Sequence, residues 1–321
     1  MSLNHADRLF ASNSITRDIA REIFNGVETL PIISPHGHCD PSWFSKNQRF
    51  PDPAELFVVP DHYVFRMLVS QGMSMSELGI EPLDNSKFEL DPRKIWRKFS
   101  ENYHLFRGTP TSMWLDYSFE KVFGLTEPLT LENSGFYFDF IEEKLTLPEF
   151  LPRALFEKFN IEVLATTDSA LSQLDHHISL TNSSWDGRVI PTYRPDSIID
   201  PEFDGFKNNL KKLGELTSED IETWDGYKNA HRSRRLFFRD MGATATDHGH
   251  PSARTENLSS SEAEKLFHII LTDEFSPEHA DIFRGQMLTE MAKMSCDDGL
   301  VMQMHPAPNR NHSPEILSKF G

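Results

Sequence analysis

Residues 30–41 read Leu30-Pro31-Ile32-Ile33-Ser34-Pro35-His36-Gly37-His38-Cys39-Asp40-Pro41. The first four form a short apolar strand, and polar, ligand-type residues bunch directly after it. In extended chain, side chains two apart point the same way, so His36 and His38 can reach one cation. The plainer reading is two surface loop histidines, since short His-x-His strings arise by chance. Cys39 points to the opposite face and reads as a small buried residue. A strand that delivers polar groups at its C-terminal end is the signature of the functional rim of an α/β barrel.

The same pattern recurs four times. Ile161-Glu162-Val163-Leu164-Ala165-Thr166 ends in Thr167-Asp168. Arg188-Val189-Ile190-Pro191-Thr192 ends in Tyr193-Arg194-Pro195-Asp196. Gly242-Ala243-Thr244-Ala245-Thr246 ends in Asp247-His248-Gly249-His250, and Leu300-Val301-Met302-Gln303-Met304 ends in His305. Helical segments lie between these strands. One covers 277–295, with Phe283, Met287, Leu288 and Met291 on one face, and another covers 260–270. A helix with Ile15, Ile19, Ala20, Ile23 and Phe24 at helical spacing precedes the first strand; Ser14 is its cap and Asn25-Gly26 stops it. The stretch from 42 to 157 reads as a mainly helical insertion, with candidate helices at 63–71, 92–103 and 112–123. The expected fold is therefore α/β, a distorted (β/α)8 TIM barrel. Its parts are 1–41 (N-terminal helix and strand one), 42–157 (insertion) and 158–321 (strands two to five with their helices). A closed barrel needs eight strands. Five are visible, so the expectation is that three lie beyond residue 321 rather than hidden in the insertion.

Composition narrows the function. The chain has 321 residues, a net charge of −17 and a pI near 5.2. Such a surface repels phosphate backbones, which argues against nucleic acid as a partner. An acidic substrate then needs Arg or Lys gathered locally. The two cysteines, Cys39 and Cys296, cannot build a disulfide framework and fit a reducing cytoplasm. The N-terminus has no signal-peptide pattern, and no apolar run approaches the roughly 20 residues that span a bilayer.

Several other residues are candidates for chemistry. His305, at the end of the fifth strand, suits a third metal ligand, or else a hydrogen-bonded rim histidine. Asp247 and His248 read as ligands, as substrate-positioning groups or as part of a turn around Gly249. Arg194 and Arg310 follow strand ends, where a guanidinium can clasp a carboxylate with two parallel hydrogen bonds. Tyr63, in Asp61-His62-Tyr63, reads by itself as packing.

Taken in order, these strings resemble the uronate isomerases, the hexuronate-interconverting branch of the amidohydrolase superfamily. The matching strings are His36-Gly37-His38-Cys39-Asp40-Pro41, Asp61-His62-Tyr63, Thr166-Thr167-Asp168, Pro191-Thr192-Tyr193-Arg194-Pro195-Asp196, Ala245-Thr246-Asp247-His248-Gly249, and Met302-Gln303-Met304-His305 with Arg310 beyond it. The resemblance implies a distorted barrel with a helical insertion after strand one. It implies interconversion of D-glucuronate with D-fructuronate and of D-galacturonate with D-tagaturonate. It places a divalent metal, usually zinc, on His36, His38 and His305, proton transfer at Tyr63, and substrate binding at Arg194 and Arg310. It is compatible with a homo-oligomer. Two local departures stand out: Gly37 replaces a usual Cys, and Pro306-Ala307-Pro308-Asn309 replaces a usual Ile-Gly-Ala-Ile. Family members also continue through strands six to eight, where a Thr-Asp-Ser-Arg string completes the site. On that comparison the chain reads as a fragment, and the 321-residue polypeptide is expected to have little activity alone. The alternatives are a metal-dependent hydrolase of the same superfamily and a non-catalytic sugar-acid-binding homologue.

Overall fold

Asp-Pro pairs start helices throughout this chain. Asp40, Asp52 and Asp91 each turn a carboxylate back onto the first free backbone N–H groups of a helix whose N1 residue is proline. Proline needs no hydrogen bond there, and its fixed φ already suits the helix. A computed structural model describes residues 2–272, 274–306 and 311–321. The chain divides into two units, Met1–Leu30 with Gln48–Lys158 and Asn311–Gly321, and Pro31–Asn47 with Phe159–Arg310. The expected 1–41 segment is therefore split. The N-terminal helix groups with the helical insertion, and only the first strand and its loop belong to the sheet unit.

The helical unit is built on aromatic packing. Helix Pro92–Glu101 buries Ile95, Trp96 and Phe99 on one face, against Phe106, Phe119, Tyr137 and Phe138. The Trp96 indole N–H donates to the Ser134 carbonyl at 3.0 Å, so its single polar atom is satisfied inside the core. Helix Ser14–Asn25 forms where its spacing predicts, with Asn13 rather than Ser14 as the cap. Among the described residues, none of its side chains is buried.

Among the described residues the sheet unit contains seven short strands: β1 (Ile32–Ser34), β2 (Ile161–Ala165), β3 (Asp168–Ser169), β4 (Arg188–Ile190), β5 (Tyr193–Arg194), β6 (Ala245–His248) and β7 (Val301–Met304). They form two sheets, ordered β1-β2-β4 and β3-β5-β6-β7, and every pairing is parallel. They are nonetheless only five passes of the chain. β2 runs on into β3 and β4 into β5, and the bonds Thr166 N–H to Ile190 O and Asp168 N–H to Thr192 O carry the ladder across the breaks. Each pass pairs with the next in sequence, as a barrel requires. Among the described residues, however, β1 and β7 each have a strand partner on one side only. The α/β fold with five parallel passes expected from the sequence is therefore present, as a run that is not closed into a barrel among the described residues. Strand four also starts later than its apolar run suggests. Gly242 has φ +94°, a turn conformation, so the strand begins at Ala245 and takes in Asp247 and His248.

Two long helices back these strands. Trp224–Asp240 presents Tyr227, Ala230, His231, Arg234, Arg235 and Phe238 inward, and Pro277–Asp298 presents Phe283, Met287, Met291 and Met294. Arg235, wholly buried, holds Asp298 through two hydrogen bonds of 2.6 and 2.9 Å, so the charge enters the core paired. At Gly226 a Cβ would stand 2.1 Å from the Asp220 carbonyl oxygen. Gly226→Ala is therefore expected to destabilise the sheet unit by about 1–3 kcal/mol through overpacking. Thermal unfolding of the variant against the parent measures this.

Candidate active site

Strand pleating sorts the site. Parallel register sets Asp247 beside Gln303, and alternation turns both away from Thr246 and His248. The Asp247 carboxylate is fully buried, and the groups around it are drawn from three other strand ends. His305 Nδ1 stands 2.9 Å from its Oδ1, Arg194 Nη1 3.3 Å from its Oδ2, and His36 Nδ1 3.9 Å from Oδ1. None of these contacts is aligned as a hydrogen bond, and among the described residues both Asp247 oxygens lack a donor. A buried carboxylate left so poorly satisfied is unfavourable for the fold and marks a place where a ligand or a reaction uses it.

The histidines gather around it. The ring of His36 lies 5.0 Å from that of His38 and 5.7 Å from that of His305, centroid to centroid. The His36 and His305 side chains remain 37% and 42% exposed, so both can meet a ligand from solvent. Burial, then the nearby charges of His36 and Arg194, hold His38 below the ordinary imidazole range, which keeps it a neutral ring with a free lone pair at pH 7. His36 Nδ1 meets the Gln303 side-chain oxygen at 3.1 Å. Among the described residues no three His, Cys, Asp or Glu side chains already stand at metal-holding geometry. The donor chemistry still fits a divalent ion: three imidazoles gather beside a buried carboxylate that has no aligned hydrogen-bond donor among the described residues. Burial pushes the Cys39 thiol up, so it stays protonated and is a poor ligand.

Gly37 lets the His-x-His loop lie against the sheet. A Cβ there would come within 3.0 Å of the Ala165 carbonyl, and the Thr167 hydroxyl donates to the Gly37 carbonyl at 2.9 Å. Arg194 is held on every edge. Its Nε donates to Asp196 Oδ2 at 2.8 Å, and Nη2 lies 3.5 Å from His305 Nε2. The other oxygen of Asp196 accepts from the Gly249 N–H at 3.1 Å, which ties the loop after β5 to the loop after β6.

Three further expected site residues are His248, Tyr63 and Arg310. His248 is 1% exposed and turns back to Thr246, whose hydroxyl meets its Nε2 at 2.8 Å. It lies on the opposite face of β6 from Asp247. Tyr63 sits in the first turn of helix His62–Ser70 in the helical unit, capped by Asp61; it is half-exposed, with its ring against His62 and Trp114. Arg310 lies outside the described residues. Gln303 and Asp196 escape the sequence reading. Their only signal is position, one within the last apolar strand and the other closing the Arg-Pro-Asp string.

Parallel α/β passes that converge imidazoles, a carboxylate and a guanidinium at their C-terminal ends define an enzyme of the parallel α/β class. Residues 7–321 match the family model described as glucuronate isomerase. The chain is 54% identical over 315 residues to the uronate isomerase of Rhizobium meliloti (strain 1021), covering 98% of this chain and 67% of that protein. It is 50% identical to the uronate isomerase of Mesorhizobium japonicum, covering 100% of this chain and 68% of that one. The crystal structure of glucuronate isomerase from Caulobacter crescentus superposes with a TM-score of 0.95 at 49% identity, over 99% of this chain and 67% of that chain. The chain belongs to the uronate isomerase family and spans about two thirds of the length of these relatives. The hydrolase and the non-catalytic alternatives are not favoured by any of these matches. No described helix is long and apolar enough to cross a membrane.

Proposed function

We propose that the cluster around Asp247 is the uronate isomerase site, interconverting D-glucuronate with D-fructuronate and D-galacturonate with D-tagaturonate in the cytoplasm. The observation that carries this reading is the fully buried Asp247 carboxylate, without an aligned donor among the described residues and faced by His36, His305 and Arg194. In this reading the five passes are consecutive staves of a (β/α)8 barrel, and the site occupies its C-terminal rim.

Isomerisation moves a proton from C2 to C1 through an enediol. His36, His38 and His305 would hold a divalent ion, zinc by the family resemblance. Such an ion supplies a positive charge that stabilises a developing enediolate oxygen. Asp247, itself fully buried, offers a carboxylate for handling protons. Arg194 binds the sugar acid's carboxylate or hydroxyls, and Asp196 holds its guanidinium through Nε. Tyr63 and Arg310 take the proton-transfer and substrate-binding roles that the family resemblance implies.

Incubation with D-glucuronate or D-galacturonate tests the reading through detection of the ketose and, because the 321-residue polypeptide alone is expected to turn over slowly, through equilibrium binding; neither ketose nor binding of either hexuronate, with metal supplied, would refute it. Arg194→Ala is expected to raise KM by about tenfold or more, the loss of a charge-assisted pair. An unchanged KM would remove Arg194 from substrate binding.

A further inference from the structure

Gln303 lies on β7, yet its side chain makes two contacts in the loop after β1. Its Nε2 donates to the Pro35 carbonyl at 2.7 Å, and its Oε1 lies 3.1 Å from His36 Nδ1. The assignment of the amide is forced. A carbonyl oxygen only accepts, so the –NH2 must face Pro35, and that leaves the amide oxygen facing His36. An amide oxygen also only accepts, so Nδ1 of His36 must carry the hydrogen. The lone pair is then on Nε2.

From this we infer that Gln303 is a positioning residue. It selects the Nδ1–H tautomer of His36 and pins its ring so that Nε2 is ready to bind a divalent cation. The inference rests on the metal-site reading above and names the residue that makes one of its ligands competent. The neighbouring oxygen, Asp247 Oδ1, lies 3.9 Å from the same nitrogen, beyond hydrogen-bond reach, so Gln303 alone makes this contact among the described residues. The Pro35 bond adds a second constraint, because it holds the backbone just before the ligand.

Two substitutions separate these effects. Gln303→Leu removes both contacts. Gln303→Glu keeps an acceptor for His36 Nδ1–H but cannot donate to Pro35. Side-chain 15N chemical shifts of the metal-free protein at pH 8 report the tautomer, and competition against a chromophoric chelator reports zinc affinity. The wild type should show His36 as the Nδ1–H tautomer. Gln303→Leu should give a tautomer mixture and weaken zinc binding by about 10–100-fold, the usual effect of losing the group that orients a ligand. Gln303→Glu should keep the tautomer and most of the affinity.

An unchanged tautomer or unchanged zinc affinity in Gln303→Leu overturns the proposal. So does equal impairment of the Glu and Leu variants, which would reduce Gln303 to a backbone tether. A wild type that binds no zinc, yet loses the Nδ1–H tautomer in Gln303→Leu, would sink the metal reading while the orienting role stood.

Discussion

Asp247→Asn is expected to lower isomerase turnover by at least about 100-fold while leaving the fold as stable as the parent or more so. Losing one preorganised group that acts on the transition state commonly costs about 10²–10³ in rate. The stability half of the prediction follows from the orphaned oxygens. The carboxylate is fully buried, and its neighbours approach without aligned hydrogen bonds. Replacing it with an isosteric neutral amide removes a desolvated charge and forfeits little. Functional groups of this kind are retained against the interest of the fold. Steady-state kinetics beside thermal unfolding give both numbers. Near-normal turnover in Asp247→Asn would show that the negative charge is not used. A large drop in stability would show that Asp247 is structural.

The second large effect is acid sensitivity. His177, His231, His248 and His250 are all buried, and burial is the leading cause that lowers each below the ordinary imidazole value. His231 is pushed down to about 3; its Nδ1 meets the Tyr193 hydroxyl at 2.8 Å, and its Nε2 has no partner among the described residues. An unfolded chain would protonate each ring near pH 6.5, whereas the folded state resists. Between those values the unfolded state binds more protons, so stability rises with pH and falls as pH drops below about 6.5. His231 alone contributes a slope of about 1.4 kcal/mol per pH unit across the window from 6.5 down to its folded value. The other three act in the same direction. Urea unfolding at pH 7.5, 6 and 5 should therefore show a steep loss before ordinary carboxylates titrate. His231→Gln keeps a polar partner for Tyr193 but no longer titrates in this range, so its profile should be flatter by that single-site slope. An unaltered profile would remove His231 from the account.

The comparison of sequence with structure turns on Asp247 and His248. Both are plausible ligands in the string Asp247-His248-Gly249-His250, and nothing local ranks them. Once β6 pairs with β7, alternation gives Asp247 to the face shared with Gln303, and it sends His248 to the opposite face, within reach of the charges of Arg235 and His231. The late start of strand four was also hidden. An apolar run looks the same whether or not its first glycine has turned to positive φ.

The sequence by itself determined the five passes, the polar residues that end each one, and the helices between them. Those are local properties: apolar runs, helical spacing, and Asp-Pro or Gly stops act within a few residues. It also placed His36 and His38 on one side, because period-two alternation needs no partner. Only the tertiary structure decided that the passes pair as an open run of two parallel sheets, that Asp247 is stranded without aligned donors while Arg194 leans over His305, and that Gln303 orients a histidine 267 positions away. Those outcomes depend on which face of each strand the helices cover and on register between distant segments. No stretch of sequence carries that information until the chain has closed those contacts.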